Sequence, residues 1–274
     1  MSLPGVFRRV MPSATISLNF ALDGCEVRLR ELTGHDERRI SGTGTEDALQ
    51  LLDVIMLPVE VEGSLLHAED LVAADRDRVL AALYIQTFGD RIENTLHCDA
   101  CQLPFDTHFS LRELTATLDK RPRNSQFTPI AANMFECIDG WRFRLPTGCD
   151  ERAAAAAPSR TAESVLAERC LPDTEARPDL AVLQTALDEV GPLLELELKA
   201  SCPECGCVHL VQFDIQTYLL RSLLNEQLHL FVDIHRLAAA YGWSAKEILS
   251  LTRTERRQLV ELVENEPSRR RTSR

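Results

Sequence analysis

The sequence predicts an α+β fold of two related halves followed by a helical C-terminal tail. Three observations carry that prediction. Hydrophobic spacing switches between a period of two and a helical period along the chain. The form T-G-x-D-E-R occurs at 33–38 and again at 147–152. Two Cys-x-x-Cys turns, Cys98 to Cys101 and Cys202 to Cys205, each lie between alternating strand-like runs. Each turn has the shape of a zinc knuckle on a short hairpin, and two knuckles supply the four thiolates that close a tetrahedral zinc site. The halves are therefore expected to share one four-cysteine, zinc-ribbon-like site.

Composition bounds the function. A length of 274 residues suits one large domain or two small ones, and 45% hydrophobic residues can fill a core. A net charge of -12 argues against general attraction to nucleic acid. No run approaches the ~18 apolar residues of a membrane span, and residues 1–20 lack an uninterrupted apolar signal-peptide core. A cytoplasmic product is expected. Nine cysteines, an odd count, then fit a reducing compartment. Cys25, Cys137, Cys149 and Cys170 are expected to be buried small hydrophobes.

Residues 1–13 carry prolines and Arg8-Arg9 and read as a flexible arm. The first half, 14–115, opens with alternation at Ile16, Leu18 and Phe20, an Asp23-Gly24 turn, and a return through Val27 and Leu29, which is a hairpin signal. Thr33 with Asp36 caps a first helix. A second helix starts at Thr45 and stops at Pro58, and a third runs from about Glu69 to Phe88, where Gly89 ends it ahead of the first knuckle. A polar connector is expected at 116–129.

The second half, 130–214, repeats the programme: Met134 to Ile138, Asp139-Gly140, a return strand through Trp141, Phe143 and Leu145, then a helix capped at Thr147. Thr161-Ala162-Glu163 echoes Thr45-Glu46-Asp47, and Leu187 precedes Cys202 by the interval that separates Leu83 from Cys98. An internal duplication accounts for this order, and two halves packed about a pseudo-two-fold axis would let one ion staple them together. Residues 215–266 predict a long amphipathic helix to Tyr241, then capping boxes at Ser244 and Thr252 that open a short and a final helix. Residues 267–274, with four arginines, are expected to be a disordered basic tail.

The predicted metal ligands are Cys98, Cys101, Cys202 and Cys205, holding a structural Zn2+. A redox pair would sit at a helix N-terminus, where the dipole lowers a thiol pKa, whereas both pairs here lie between strands. Cys207 is the main rival ligand; His97 and His209 stand close enough in sequence to substitute, but they read as ordinary strand residues. No G-x-S-x-G, phosphate loop or H-E-x-x-H is present, so no catalytic residue is assigned. Asp75 and Asp77, set between arginines on a helix, read as a solvated charge pattern. A zinc-ribbon module for nucleic acid or transcription is the alternative, and it would need a basic face despite the acidic total.

Several segments resemble a known family. Val27-Arg28-Leu29-Arg30-Glu31-Leu32-Thr33-Gly34, Gln86-Thr87-Phe88-Gly89-Asp90 ahead of the first knuckle, Phe143-Arg144-Leu145-Pro146-Thr147-Gly148, Cys202-Pro203-Glu204-Cys205-Gly206, Leu228-His229-Leu230 and Ala240-Tyr241-Gly242-Trp243-Ser244 are similar to the T-even-phage-like baseplate hub assembly chaperone family. The resemblance spans most of the chain, from about residue 25 to about residue 263. It implies a non-enzymatic baseplate component or assembly chaperone of a contractile phage tail or injection system, with other baseplate, hub or tail proteins as partners. Gln102, where a glycine more often follows a knuckle, and the added Cys207 depart from the pattern.

Overall fold

The computed structural model describes residues 15–20, 25–61, 63–120, 125–159, 161–172 and 177–265. The expected arm at 1–13, the Asp23-Gly24 turn and the tail at 267–274 lie outside them. The fold is mixed α+β. Strand β1 (Thr15–Ser17) pairs antiparallel with β2 (Glu26–Arg28), which buries Val27. Helix α1 (Gly34–Glu37) is one turn long and α2 (Thr45–Ile55) stops short of Pro58, as expected. A small hairpin, β3 (Glu60–Val61) and β4 (Ser64–Leu65), was not legible in so short a run. Helix α3 (Ala73–Phe88) starts later than expected. His67 and Asp70 cap a separate 3-10 turn at Ala68–Asp70, and Leu71 leaves it in extended conformation.

The first knuckle joins β5 (Arg91–His97) to β6 (Pro104–Ser110). The connector expected at 116–129 needs correction at both ends. Helix α4 (Leu111–Asp119), capped by Ser110, runs into it, and β7 (Phe127–Ala131) begins before it should end. The polar sequence hid two apolar anchors, Leu111 and Leu118, both buried. Strand β7 forms an antiparallel sheet with β8 (Met134–Cys137) and β9 (Arg142–Phe143). Helices α5 (Gly148–Ala156), α6 (Ala162–Cys170) and α7 (Leu180–Val190) follow. The second knuckle joins β10 (Glu195–Ser201) to β11 (Val208–Asp214), and the chain closes with α8 (Ile215–Tyr241), α9 (Ala245–Leu249) and α10 (Arg253–Asn265).

Among the described residues the two larger apolar clusters meet at the entry to α3. One gathers Leu49, Leu52, Ile55, Leu80 and Leu83 with Leu219 and Leu223 of α8. The other gathers Phe135, Trp141, Phe143, Leu145 and Leu183 with Val72 and Ala74. The segment entering α3 thus serves both. The stripe of α8 is buried at Leu219, Leu220, Leu223, Leu230 and Leu237, whereas Leu228, Phe231 and Val232 are 75%, 55% and 45% exposed.

The two T-G-x-D-E-R segments make matching joints. Thr33 bridges Thr252, and Thr147 bridges Val72. In each, the aspartate accepts the threonine backbone N–H, at 2.8 Å for Asp36 and 2.9 Å for Asp150. An arginine three residues before the threonine, Arg30 or Arg144, clamps that aspartate with two hydrogen bonds. Burial opposes ionisation of Asp36 and Asp150, but these arginines and the threonine donors hold both carboxyls below the usual range. The following glutamate reaches an arginine in the first turns of the facing helix: Glu37 binds Arg256 of α10, and Glu151 binds Arg76 of α3. Close backbone approach requires the glycines. A Cβ on Gly34 would meet Leu249 Cα at 3.1 Å, and one on Gly148 would meet Glu69 Cα at 3.0 Å.

The solvated reading of Asp75 and Asp77 is overturned, because both are buried, 1% and 5% exposed. Asp75 accepts the backbone N–H groups of Asn19 and Phe20, and Asp77 accepts that of Leu194 at 2.9 Å. Asp77 thus ties the foot of β10 to α3, the helix that leads into β5. Burial pushes its carboxyl up to about 7, against the pull of Arg76 and the Leu194 N–H. With the folded value raised, its stabilisation is full below the unfolded value of about 4 and is lost as pH rises through about 7. Asp77→Asn, which stays neutral, should therefore gain stability relative to wild type between those limits, by at most about 4 kcal/mol. Urea unfolding at a series of pH values checks this, and a difference that does not vary with pH would contradict it.

Candidate metal centre

The candidate site sits where two hairpins face each other. Strands β5 and β6 pair from Arg91 opposite Ser110 to His97 opposite Pro104, and β10 and β11 pair from Glu195 opposite Asp214 to Ser201 opposite Val208. Each named residue of the second hairpin lies 104 positions after its counterpart in the first. Period-two alternation turns Ile92, Phe105 and Phe109 inward on one hairpin and Leu196, His209 and Phe213 on the other. Counterparts then meet across the gap. The Phe109 and Phe213 rings are 5.1 Å apart and edge-on, and those of Phe105 and His209 are 5.5 Å apart.

Among the described residues neither hairpin hydrogen-bonds to another strand, and isolated two-stranded hairpins are marginal in water. Their feet are anchored, since Ile92 and Phe213 lie in the main core and Tyr218 Oη donates to Glu93 O at 2.8 Å. Their tips have only a small apolar cluster of Cys98, Phe105 and Cys202 with four partly buried neighbours. That cluster buries little apolar surface at the tips.

The tips are built alike. Cys98 O accepts the Gln102 N–H at 2.8 Å and Leu103 O accepts the Cys98 N–H at 3.0 Å; Cys202 O accepts the Gly206 N–H at 2.9 Å and Cys207 O accepts the Cys202 N–H at 2.8 Å. Gln102 and Gly206 both take left-handed backbone, with φ 61° and 74°. Glycine does so without steric penalty. Gln102 does so with its side-chain amide donating to Asp99 O at 2.8 Å.

All four predicted cysteines come together. Cys98 Sγ lies 3.5 Å from Cys205 Sγ, and Cys101 Sγ lies 3.8 Å from Cys202 Sγ. A shift of 104 positions exchanges these two contacts. The four sulfurs lie within 4.8 Å of one another. A disulfide would need about 2.05 Å, and all nine cysteines are free thiols. Zinc–sulfur bonds of about 2.3 Å in a tetrahedron imply sulfur–sulfur edges of about 3.8 Å. Donor type and spacing therefore suit a zinc-sized thiophilic ion. Four such ligands would leave it no open position for water, so the arrangement is structural in kind.

The thiols of the cluster hold their protons unevenly, Cys98 weakly and Cys101 and Cys205 tightly. The Cys101 backbone N–H draws the Cys98 thiol down to about 5 against burial, with help from His209, the Ala100 N–H and Cys205. At Cys205 the Cys207 N–H also pulls down, but the hydrogen bond to Cys98, burial and the nearby Cys202 and Cys101 thiols outweigh it and push the value up to about 12. A divalent ion binding here releases the remaining protons, so its affinity falls in acid.

The other sequence candidates separate. His97 is exposed and stands outside the sulfur cluster. Cys207 and His209 gather with Cys98 in a second group. Of the four cysteines expected to be buried, Cys137 and Cys170 are, while Cys25 and Cys149 are only half-buried. Sequence reasoning missed the buried ionic joints that brace the scaffold, although Arg30 and Arg144, each three residues before Thr-Gly, were a visible signal. No helix among the described residues is long and apolar enough to cross a membrane. Comparison with protein-family models, curated proteins and solved structures finds no match.

Proposed function

We propose that this chain is a non-enzymatic, zinc-stapled baseplate component or baseplate assembly chaperone of a contractile phage tail or related injection system. The observation that carries the structural part is the closed set of Cys98, Cys101, Cys202 and Cys205, drawn from hairpins far apart in sequence and spaced for one ion. We also propose that the halves arose by internal duplication. The 104-position correspondence of the hairpins and the matching T-G-x-D-E-R joints support it. The baseplate assignment rests on the resemblance of segments such as Val27 to Gly34 and Ala240 to Ser244. Zinc would lock the hairpins into a rigid body, and the face of α8 carrying Leu228, Phe231 and Val232 would meet a baseplate or hub protein during assembly in the cytoplasm.

The test is co-expression of the full chain with the other tail and baseplate proteins of its own gene cluster. A defined partner should co-purify with it, and the double variant Leu228→Asp, Phe231→Asp should lose that partner while keeping its metal. The nucleic-acid alternative predicts instead a salt-dependent gel shift with DNA or RNA, which the -12 charge opposes. Absence of any tail-protein partner together with such a shift would overturn the assembly reading.

A further inference from the structure

We infer that Cys98, Cys207 and His209 form a second, adjoining site for a thiophilic divalent ion, with the Cys98 sulfur bridging it to the four-thiol site. The inference rests on the four-thiol reading of the first site. One donor atom from each of the three residues lies within 4.8 Å of the others. His209 Nε2 is 3.3 Å from Cys98 Sγ, with the ring side chain only 12% exposed. The Asp99 carboxylate lies 3.8 Å from the opposite nitrogen, Nδ1. Without an ion Nε2–H donates to the Cys98 sulfur, and an ion seated beside that sulfur would take the tautomer with the proton on Nδ1, on the side of Asp99, so that the Nε2 lone pair faces the ion.

The second hairpin carries two donors that the first lacks. Cys207 stands where the first hairpin has Leu103, and His209 where it has Phe105. The first site already has four thiols without either residue. Two donors of metal-binding type therefore appear on one hairpin only, beside the sulfur they would share. Charge favours a second cation as well. Four thiolates around one divalent ion leave a net charge of -2, and a second divalent ion beside Cys98 offsets it. The Cys207 proton leaves to solvent as the ion binds, while His209 binds neutral. Three protein donors leave the fourth position to water, so the second ion should be held more weakly than the first.

The test uses the full chain, reduced and metal-free, titrated with Cd2+ and followed by thiolate-to-cadmium absorption and 113Cd NMR. Two equivalents should bind, the second more weakly, giving two cadmium signals coupled through the shared sulfur. Cys207→Ser and His209→Gln, which keep all four primary thiols, should each lose the second equivalent and retain the first signal. Saturation of the wild type at one equivalent would overturn the inference and leave the four-thiol site standing. So would a second equivalent that survives in both variants. Failure to bind any cadmium would overturn the four-thiol reading itself, and this inference with it.

Discussion

Replacing Glu37 with Ala is expected to cost about 3–5 kcal/mol of folding stability, because it leaves two buried guanidinium groups short of their anionic partner. Glu37 Oε1 accepts from Arg256 at 2.6 Å and Oε2 from Arg253 at 3.0 Å, and the three side chains are 1%, 2% and 7% exposed. Among the described residues Arg256 keeps Asp233, at 3.3 Å, and Arg253 keeps Glu226, at 2.7 Å, and the face of the Phe88 ring. Against a total of about 5–15 kcal/mol for a typical domain, that loss is large. The surface bridges of Arg152 to Glu46 and Glu69 provide the comparison. Those side chains are 46%, 55% and 35% exposed, and Arg152→Ala should change stability by no more than about 1 kcal/mol. Chemical denaturation of both variants measures the contrast, and equal costs would show that burial is not what gives the α1–α10 joint its weight.

Loss of the metal should have the second large effect, and a local one. Cys202→Ser would remove one of the four proposed ligands, and chelation would remove the proposed ion. With free zinc at a thousandfold excess over its Kd, linkage stabilises the folded chain by about 4 kcal/mol. That corresponds to a fall of roughly 8–16 °C in Tm when zinc is withdrawn. The two apolar cores contain none of the four cysteines, so α2, α3 and α5 should keep slow amide exchange. The amides at the tips of β5, β6, β10 and β11, held together by little besides the sulfur cluster, should lose protection. Unchanged exchange at the tips after chelation would mean that the hairpins hold each other without an ion.

Much of this architecture was legible because the signals are local. The Cys-x-x-Cys turns declare themselves in four residues, the hairpins through alternation at Leu196, Leu198 and Ala200, and the helix starts through capping pairs such as Ser244 and Glu247. What escaped depends on partners remote in sequence. Asp75 and Asp77 look like surface charges beside Arg76 and Arg78, and only the fold brings Asn19, Phe20 and Leu194 to them. Glu37 likewise finds Arg256 only after the chain has returned through α8. Helix α4 was lost for another reason, since only Leu111 and Leu118 are buried among polar neighbours and the stripe is too thin to read. Cys207 was legible as an extra thiol, but its position opposite Leu103 on the matching tip needed coordinates.

The most direct test of the shared site is the metal content of the purified chain, with Cys98, Cys101, Cys202 and Cys205 each changed to Ser in turn. One zinc per chain should survive dialysis, and it should be lost or weakened by a change in either hairpin. No zinc at all, or a zinc that persists when both cysteines of one hairpin are replaced, would contradict a single ion held by both.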